Sequence, residues 1–151
     1  MYAALVPEEP PQRSSPSAAG ASPLAYIANS GSNTVSVIDT ATNTVVATVP
    51  VGAFPTGVAI NPAGTFAYVT NQLSANVSVI GTAANAVVAT VPVGAFPTGI
   101  AVNPAGTFVY VSNRDSNSVS VIDTATNTVA ATVPLGGNPI GIAVNPAGTI
   151  V

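Results

Sequence analysis

The sequence predicts an all-β fold, a β-propeller segment of about three four-stranded antiparallel blades, and three observations carry that expectation. The chain of 151 residues repeats with a period of 42: Tyr26, Tyr68 and Tyr110 recur at that spacing, as do Gly57, Gly99 and Gly141, and Asn61, Asn103 and Asn145. Each period divides into four short runs of Val, Ile, Thr, Tyr and Phe bounded by Gly, Pro, Asn and Asp, which is strand composition at strand spacing. No helical period appears. Charged residues make up only 5% of the chain, against roughly 25% in an ordinary soluble domain. Four strands in about 40–45 residues is the pattern of a propeller blade. A blade stacked on both faces has little wet surface on which to place Lys or Glu.

The elements follow in order. Residues 1–23, "MYAALVPEEPPQRSSPSAAGASP", read as a flexible tail rich in Pro, Ser and Ala. No basic segment precedes the short apolar start, and Pro7, Glu8 and Glu9 end it, so no signal peptide is evident there. Residues 24–50 form a partial blade that begins at its second strand, "LAYIAN". Residues 51–92 and 93–134 form whole blades. Within the first of these, "GVAINP" runs into the turn "NPAGT", where Pro62 presets φ and Gly64 permits a positive φ. "FAYVTN", the polar turn "NQLSAN", "VSVI" and "VVATVPV" follow.

Residues 135–151 hold the inner strand of a next or closing blade, "PIGIAVNP" at 139–146. Two explanations fit. Either the chain belongs to a longer reading frame, or copies assemble, with Ile140–Val144 of one pairing with "LAYIAN" of another and two chains making a six-bladed ring. In both cases open blade faces and a bare sheet edge favour a protein partner or self-association.

The second-strand motifs "YIAN" (26–29), "YVTN" (68–71) and "YVSN" (110–113), preceded by "PTGVAINPAGT" and followed by "VSVIDTATNTV", resemble the YVTN-type β-propeller repeats. The resemblance covers about residues 24–151. It implies a surface-layer-like protein at the cell surface or otherwise outside the cytoplasm. Related propellers include lactonase-like hydrolases and quinoprotein dehydrogenase subunits.

The chemistry available is sparse. The chain has no His, Cys or Lys and a net charge of −3. That argues against nucleic acid, which needs clustered Lys and Arg, and no apolar run approaches the ~18 residues of a membrane span. Neutral-pH hydrolysis or redox chemistry wants a tunable titrating group or a metal. The expectation is therefore that the chain is not an enzyme, with no catalytic, cofactor-binding or metal-ligating residues and no cofactor. Its expected function is a non-catalytic propeller scaffold for protein interaction or cell-surface adhesion. The alternative is a fragment of a propeller enzyme, lactonase-like or of the quinoprotein dehydrogenase type, whose catalytic residues lie outside this chain.

Each candidate residue has a plain structural role to set beside a functional one. Tyr26, Tyr68 and Tyr110 pack between blades or line a pocket. Asn29, Asn71 and Asn113 bond local backbone at strand ends or meet a sugar or ion. Asp39 and Asp123 close Asx turns; Gly81 stands at the equivalent position, so no complete carboxylate series offers a calcium site. Asp115 beside Arg114 is a solvated pair. Phe54 and Phe96, replaced by Asn138 in the third copy, fill the seam between blades or form an aromatic rim. Asn76-Val77-Ser78 matches a glycosylation sequon but falls in an expected strand.

Overall fold

A computed structural model describes residues 22–147. Most of the expected tail, residues 1–21, lies outside the described residues, as do residues 148–151. Eleven strands make up three antiparallel sheets and no helix is present among the described residues. The first sheet holds β1 (Leu24–Asn29), β2 (Thr34–Asp39) and β3 (Thr44–Pro50). The second holds β4 (Pro55–Ile60), β5 (Phe66–Asn71), β6 (Asn76–Gly81) and β7 (Ala86–Pro92). The third holds β8 (Pro97–Val102), β9 (Phe108–Asn113), β10 (Ser118–Asp123) and β11 (Thr128–Pro134). Each strand pairs with its neighbour in sequence, so every sheet is a simple meander.

Period-2 alternation lets one strand serve two seams. On β5, Ala67 and Val69 join Val35, Val37 and Val49 of the first sheet. Tyr68, between them in sequence, joins Val109, Val111 and Ile122 of the third. The inner strands β4 and β8 pack closely while the outer strands β3, β7 and β11 barely touch, so the sheets fan outward like blades. The scarcity of charge is not wholly a matter of burial, however. The outer strands face water, and Val45, Val46 and Val88 are exposed on them.

The turns follow local chemistry. At 61–66 the Asn61 side-chain oxygen accepts from the Thr65 and Phe66 N–H groups (2.8 and 3.0 Å), and Gly64 adopts φ 70°. The β1–β2, β2–β3, β6–β7, β9–β10 and β10–β11 turns place Asn33, Asn43, Asn85, Asn117 and Asn127 at positive φ, where Asn is tolerated. Ala75 occupies the place of Asn33 and Asn117 with φ 49°. A Cβ in that region costs roughly 1–2 kcal/mol. Ala75→Gly is therefore expected to stabilise the chain by about 1 kcal/mol, read as a rise in Tm in a thermal melt followed by circular dichroism.

The expected inner strand at 139–146 is not a strand of any sheet. Ladder pairing needs a neighbour, and among the described residues no strand lies along its free side. It nevertheless docks against the third blade: the Ser112 hydroxyl donates to the Ile140 carbonyl at 2.9 Å.

Candidate functional site

One edge of the stack gathers the loops between the second and third strands of each blade and the linkers between blades. Local hydrogen bonds weld them together. Asn33 carries both contacts from the first blade: its backbone oxygen accepts from the Val51 N–H (3.0 Å) and its side-chain oxygen from the Phe54 N–H (2.9 Å). The second blade's own loop grips the same linker, with Gln72 N–H donating to the Phe54 carbonyl and Ala53 N–H donating to Ser74 Oγ (3.0 and 2.8 Å). The next linker repeats the scheme: Arg114 N–H donates to the Phe96 carbonyl and Ala95 N–H to Ser116 Oγ (3.0 and 2.6 Å). The rim is thus cross-braced by hydrogen bonds although it is built of loops.

Phe54 and Phe96 both sit on this rim at φ 56°. Of the two roles open to them, seam or rim, Phe54 takes the rim at 41% exposed and Phe96 is half-buried, while the seams are filled by strand residues such as Tyr68, Val77 and Val79. The Arg114 guanidinium lies over the Phe96 ring, 4.3 Å from its centroid, while its Nε donates to Asp115 at 3.0 Å. Leu73 completes the exposed set at 67%. Sequence reading treated Arg114–Asp115 as an isolated solvated pair; the stacking on Phe96 depends on a contact between different loops and was not visible in it.

The asparagines of the Tyr motifs do not bond local backbone. Asn71 is fully buried and its amide donates to Asn76 Oδ1 and Ser78 Oγ (2.8 and 2.9 Å). Asn113 does the same with Ser118 and Ser120 (3.2 and 2.9 Å), and Asn29 with Thr34 and Ser36 (3.2 and 2.8 Å). The recurrence of polar partners five and seven residues downstream was the readable signal for this cross-strand ladder. It also occupies the sequon: Ser78 is buried in it, beside Asn76. The side-chain oxygens of Asn71 and Asn113 accept no hydrogen bond from the protein. Gly52 and Gly94 press on these amides so closely that a Cβ at either would lie 2.7 Å from the Asn Cγ.

A second device ties blade to blade. The inner strands β4 and β8 each carry a bulge over Thr56–Gly57 and Thr98–Gly99. This frees the Gly57 N–H from the ladder to donate to Thr70 Oγ1 (2.8 Å), whose hydroxyl donates to the Thr98 carbonyl of the next blade (3.1 Å). Gly99 and Ser112 repeat the relay toward Ile140. Gly57 and Gly99, which the sequence marks only as repeating positions, serve this close approach, while Gly64 and Gly106 take the positive φ of the turns.

The tyrosines divide by position. Tyr68 is buried in the seam between the second and third blades, and burial pushes its phenol up in pKa. Tyr26 reaches across a seam to donate to Asn85 Oδ1 at 2.9 Å, and burial also raises it. Tyr110 is half-buried on the far face of the third blade. Asp39 accepts from the Ala41 and Thr42 N–H groups (2.8 and 3.2 Å); the Ala41 bond chiefly holds its carboxyl below the usual range. A lowered pKa makes that turn an asset above the unfolded-state pKa, and the contribution fades as pH falls through the folded-state value. Asp123 accepts from Ala125 at 2.8 Å. Gly81 leaves the middle blade without the motif. Among the described residues no group of three or more His, Cys, Asp or Glu is placed to hold a metal ion. No helix among them is long and apolar enough to cross a membrane.

No family model matches the chain. A 37-residue stretch is 57% identical to the PE-PGRS family protein PE_PGRS18 of Mycobacterium tuberculosis, covering 24% of this chain and 8% of that protein. Among solved structures the chain is similar to hydrazine synthase of Kuenenia stuttgartiensis, with 29% identity and a TM-score of 0.79 over 82% of this chain and 36% of that one. It is also similar to dihydro-heme d1 dehydrogenase NirN in complex with DHE (22% identity, TM-score 0.67, 76% of this chain and 26% of that one). A third similar structure is apo AztD from Citrobacter koseri (17% identity, TM-score 0.63, 77% and 33%). The chain therefore spans well under half of the solved proteins it resembles. The expectation that the chain is not an enzyme is contradicted by these comparisons, since a synthase and a dehydrogenase are among the similar structures, each matched over part of its length. The physical reason is that blades quiet in themselves are compatible with an enzyme whose reacting groups stand elsewhere in the ring. What the comparisons and the three stacked sheets establish together is an all-β chain of propeller blades.

Proposed function

We propose that the chain is a propeller scaffold of the YVTN-repeat type that presents its loop rim to a protein partner at the cell surface or elsewhere outside the cytoplasm. In this reading residues 24–50 are a partial blade, 51–92 and 93–134 are whole blades, and 135–151 begin a closing one. The observation that carries it is the rim itself. A chain with 5% charged residues places exposed Phe54 and Leu73 and its Arg114–Phe96 stack on one hydrogen-bonded edge. Aromatic residues and Arg are the residue types that interfaces concentrate, and a preorganised rim loses little entropy on binding.

A photo-crosslinking amino acid at Leu73 tests this in cells making the chain, with the same group at Val46, an exposed residue of the outer strand, as comparison. A discrete protein adduct from position 73 alone is the expected result. No adduct, or equal adducts from both positions, overturns it. The likeness to hydrazine synthase favours a second reading, in which these blades are the scaffold part of an enzyme and the rim seats its catalytic portion. The same adduct, identified by mass spectrometry, separates the two by whether the captured protein is an enzyme component.

A further inference from the structure

We propose that two copies of this chain join head to tail, the third blade of each stacking on the first blade of the other and residues 139–144 of each completing the other's first sheet. The inner seam shows what such a contact looks like. Between the second and third blades, Tyr68, Val77, Val79 and Val91 meet Val109, Val111 and Ile122, none more than 1% exposed. One repeat further on, Tyr110, Val119, Val121 and Val133 echo the first set on the far face of the third blade. Among the described residues no sheet covers them, and Val133 is 45% exposed where Val91 is 1% exposed. On the far face of the first blade, Ala25, Ile27 and Ile38 repeat Ala67, Val69 and Ile80, which themselves lie in a closed seam. Ile27 is 38% exposed where Val69 is fully buried. One end of the chain thus carries one half of a seam and the other end carries the complementary half. None of these residues is charged.

The sheet edges match as the faces do. The segment at 139–142 already sits where a next inner strand belongs, because Ser112 donates to the Ile140 carbonyl as Thr70 donates to that of Thr98. Its outer side has no strand beside it among the described residues. At the opposite end, β1 is paired with β2 along one edge only. In the second blade Val58 pairs with Val69 and Ala59 with Tyr68. Carried through the repeat, that register sets Ile142 opposite Ile27 and Ala143 opposite Tyr26 of the second copy. A contact between two different surfaces of one chain forms a ring only when its rotation closes. Propellers close with typically 4–8 blades. Two copies of residues 24–144 bring six blades together, which lies within that range. This assembly stands apart from the rim and its partner, and each can fail without the other.

The chain contains no Cys, so paired cysteines report the register directly. Light scattering on the 151-residue chain is expected to give twice its mass of 14.7 kDa. Equimolar I27C and I142C chains, mixed and oxidised, are expected to yield a covalent dimer, since opposed strand residues lie within disulfide reach. V46C in place of I27C puts the thiol on an outer strand and should yield none. A folded monomer overturns the proposal and assigns both faces to further blades of a longer polypeptide. A dimer that crosslinks equally through position 46 overturns the register, and a ladder of larger oligomers overturns the closed six-bladed ring. Circular dichroism of each cysteine variant shows whether the sheets remain, so that loss of the dimer is read only from folded chains.

Discussion

Gly57→Ala is expected to unseat the third blade from the second. A Cβ at position 57 would lie 2.6 Å from the Thr98 carbonyl oxygen and 2.9 Å from Thr70 Oγ1. The first of these is backbone of the neighbouring blade, so a rotamer change cannot relieve it. Parting the strands would break the relay from Gly57 N–H through Thr70 to Thr98, leaving polar groups half-buried without partners. Overpacking costs about 1–3 kcal/mol and an orphaned buried group a similar amount, so a loss of about 3 kcal/mol or more is expected by denaturant titration. Gly31→Ala is the matched control: nothing lies within 4 Å of a Cβ there, and the change should leave the midpoint nearly where it was.

Tyr68→Ala is expected to cost about 4 kcal/mol, in the range of large aromatic deletions from a core. The ring is 1% exposed and stands at the centre of the seam between the second and third blades. Tyr68→Phe keeps the ring and should cost far less. The same truncation at Tyr110 probes the same repeat position on a face that no described sheet covers. There the loss should be smaller in the dissociated chain and approach that of Tyr68 wherever a second blade covers the ring. Unequal midpoints for the two alanine variants at low protein concentration, converging at high concentration, check this.

The strands were legible because their causes are local. Runs such as "FAYVTN" and "VSVI" alternate at period 2, and the turns between them carry the Asn, Gly and Pro that reversal demands. Asn61 and Gly64 took up the tight turn that their types imply, and Asp39 closed its Asx turn. The asparagines of the Tyr motifs were misread. Residue type suggested a local turn, but Asn71 faces Asn76 and Ser78 across a ladder, and the register of β5 on β6 decides that. The place of Phe54 was open for a related reason. An apolar ring is expected inside, yet the linker's backbone leaves it on the rim at positive φ, held by an asparagine from the preceding blade.

By itself, then, the sequence determined the repeating sheet, the strand count of each unit and the turn chemistry, since each depends on residues within a few positions of one another. Tertiary structure alone decided which groups meet between blades: the Gly57–Thr70–Thr98 relay, the Arg114 guanidinium on Phe96, and the two unmatched faces at the ends of the stack. The relay joins residues 28 positions apart across two sheets. Residue type specifies what each group needs, but only the stacking of one sheet on the next decides what it finds.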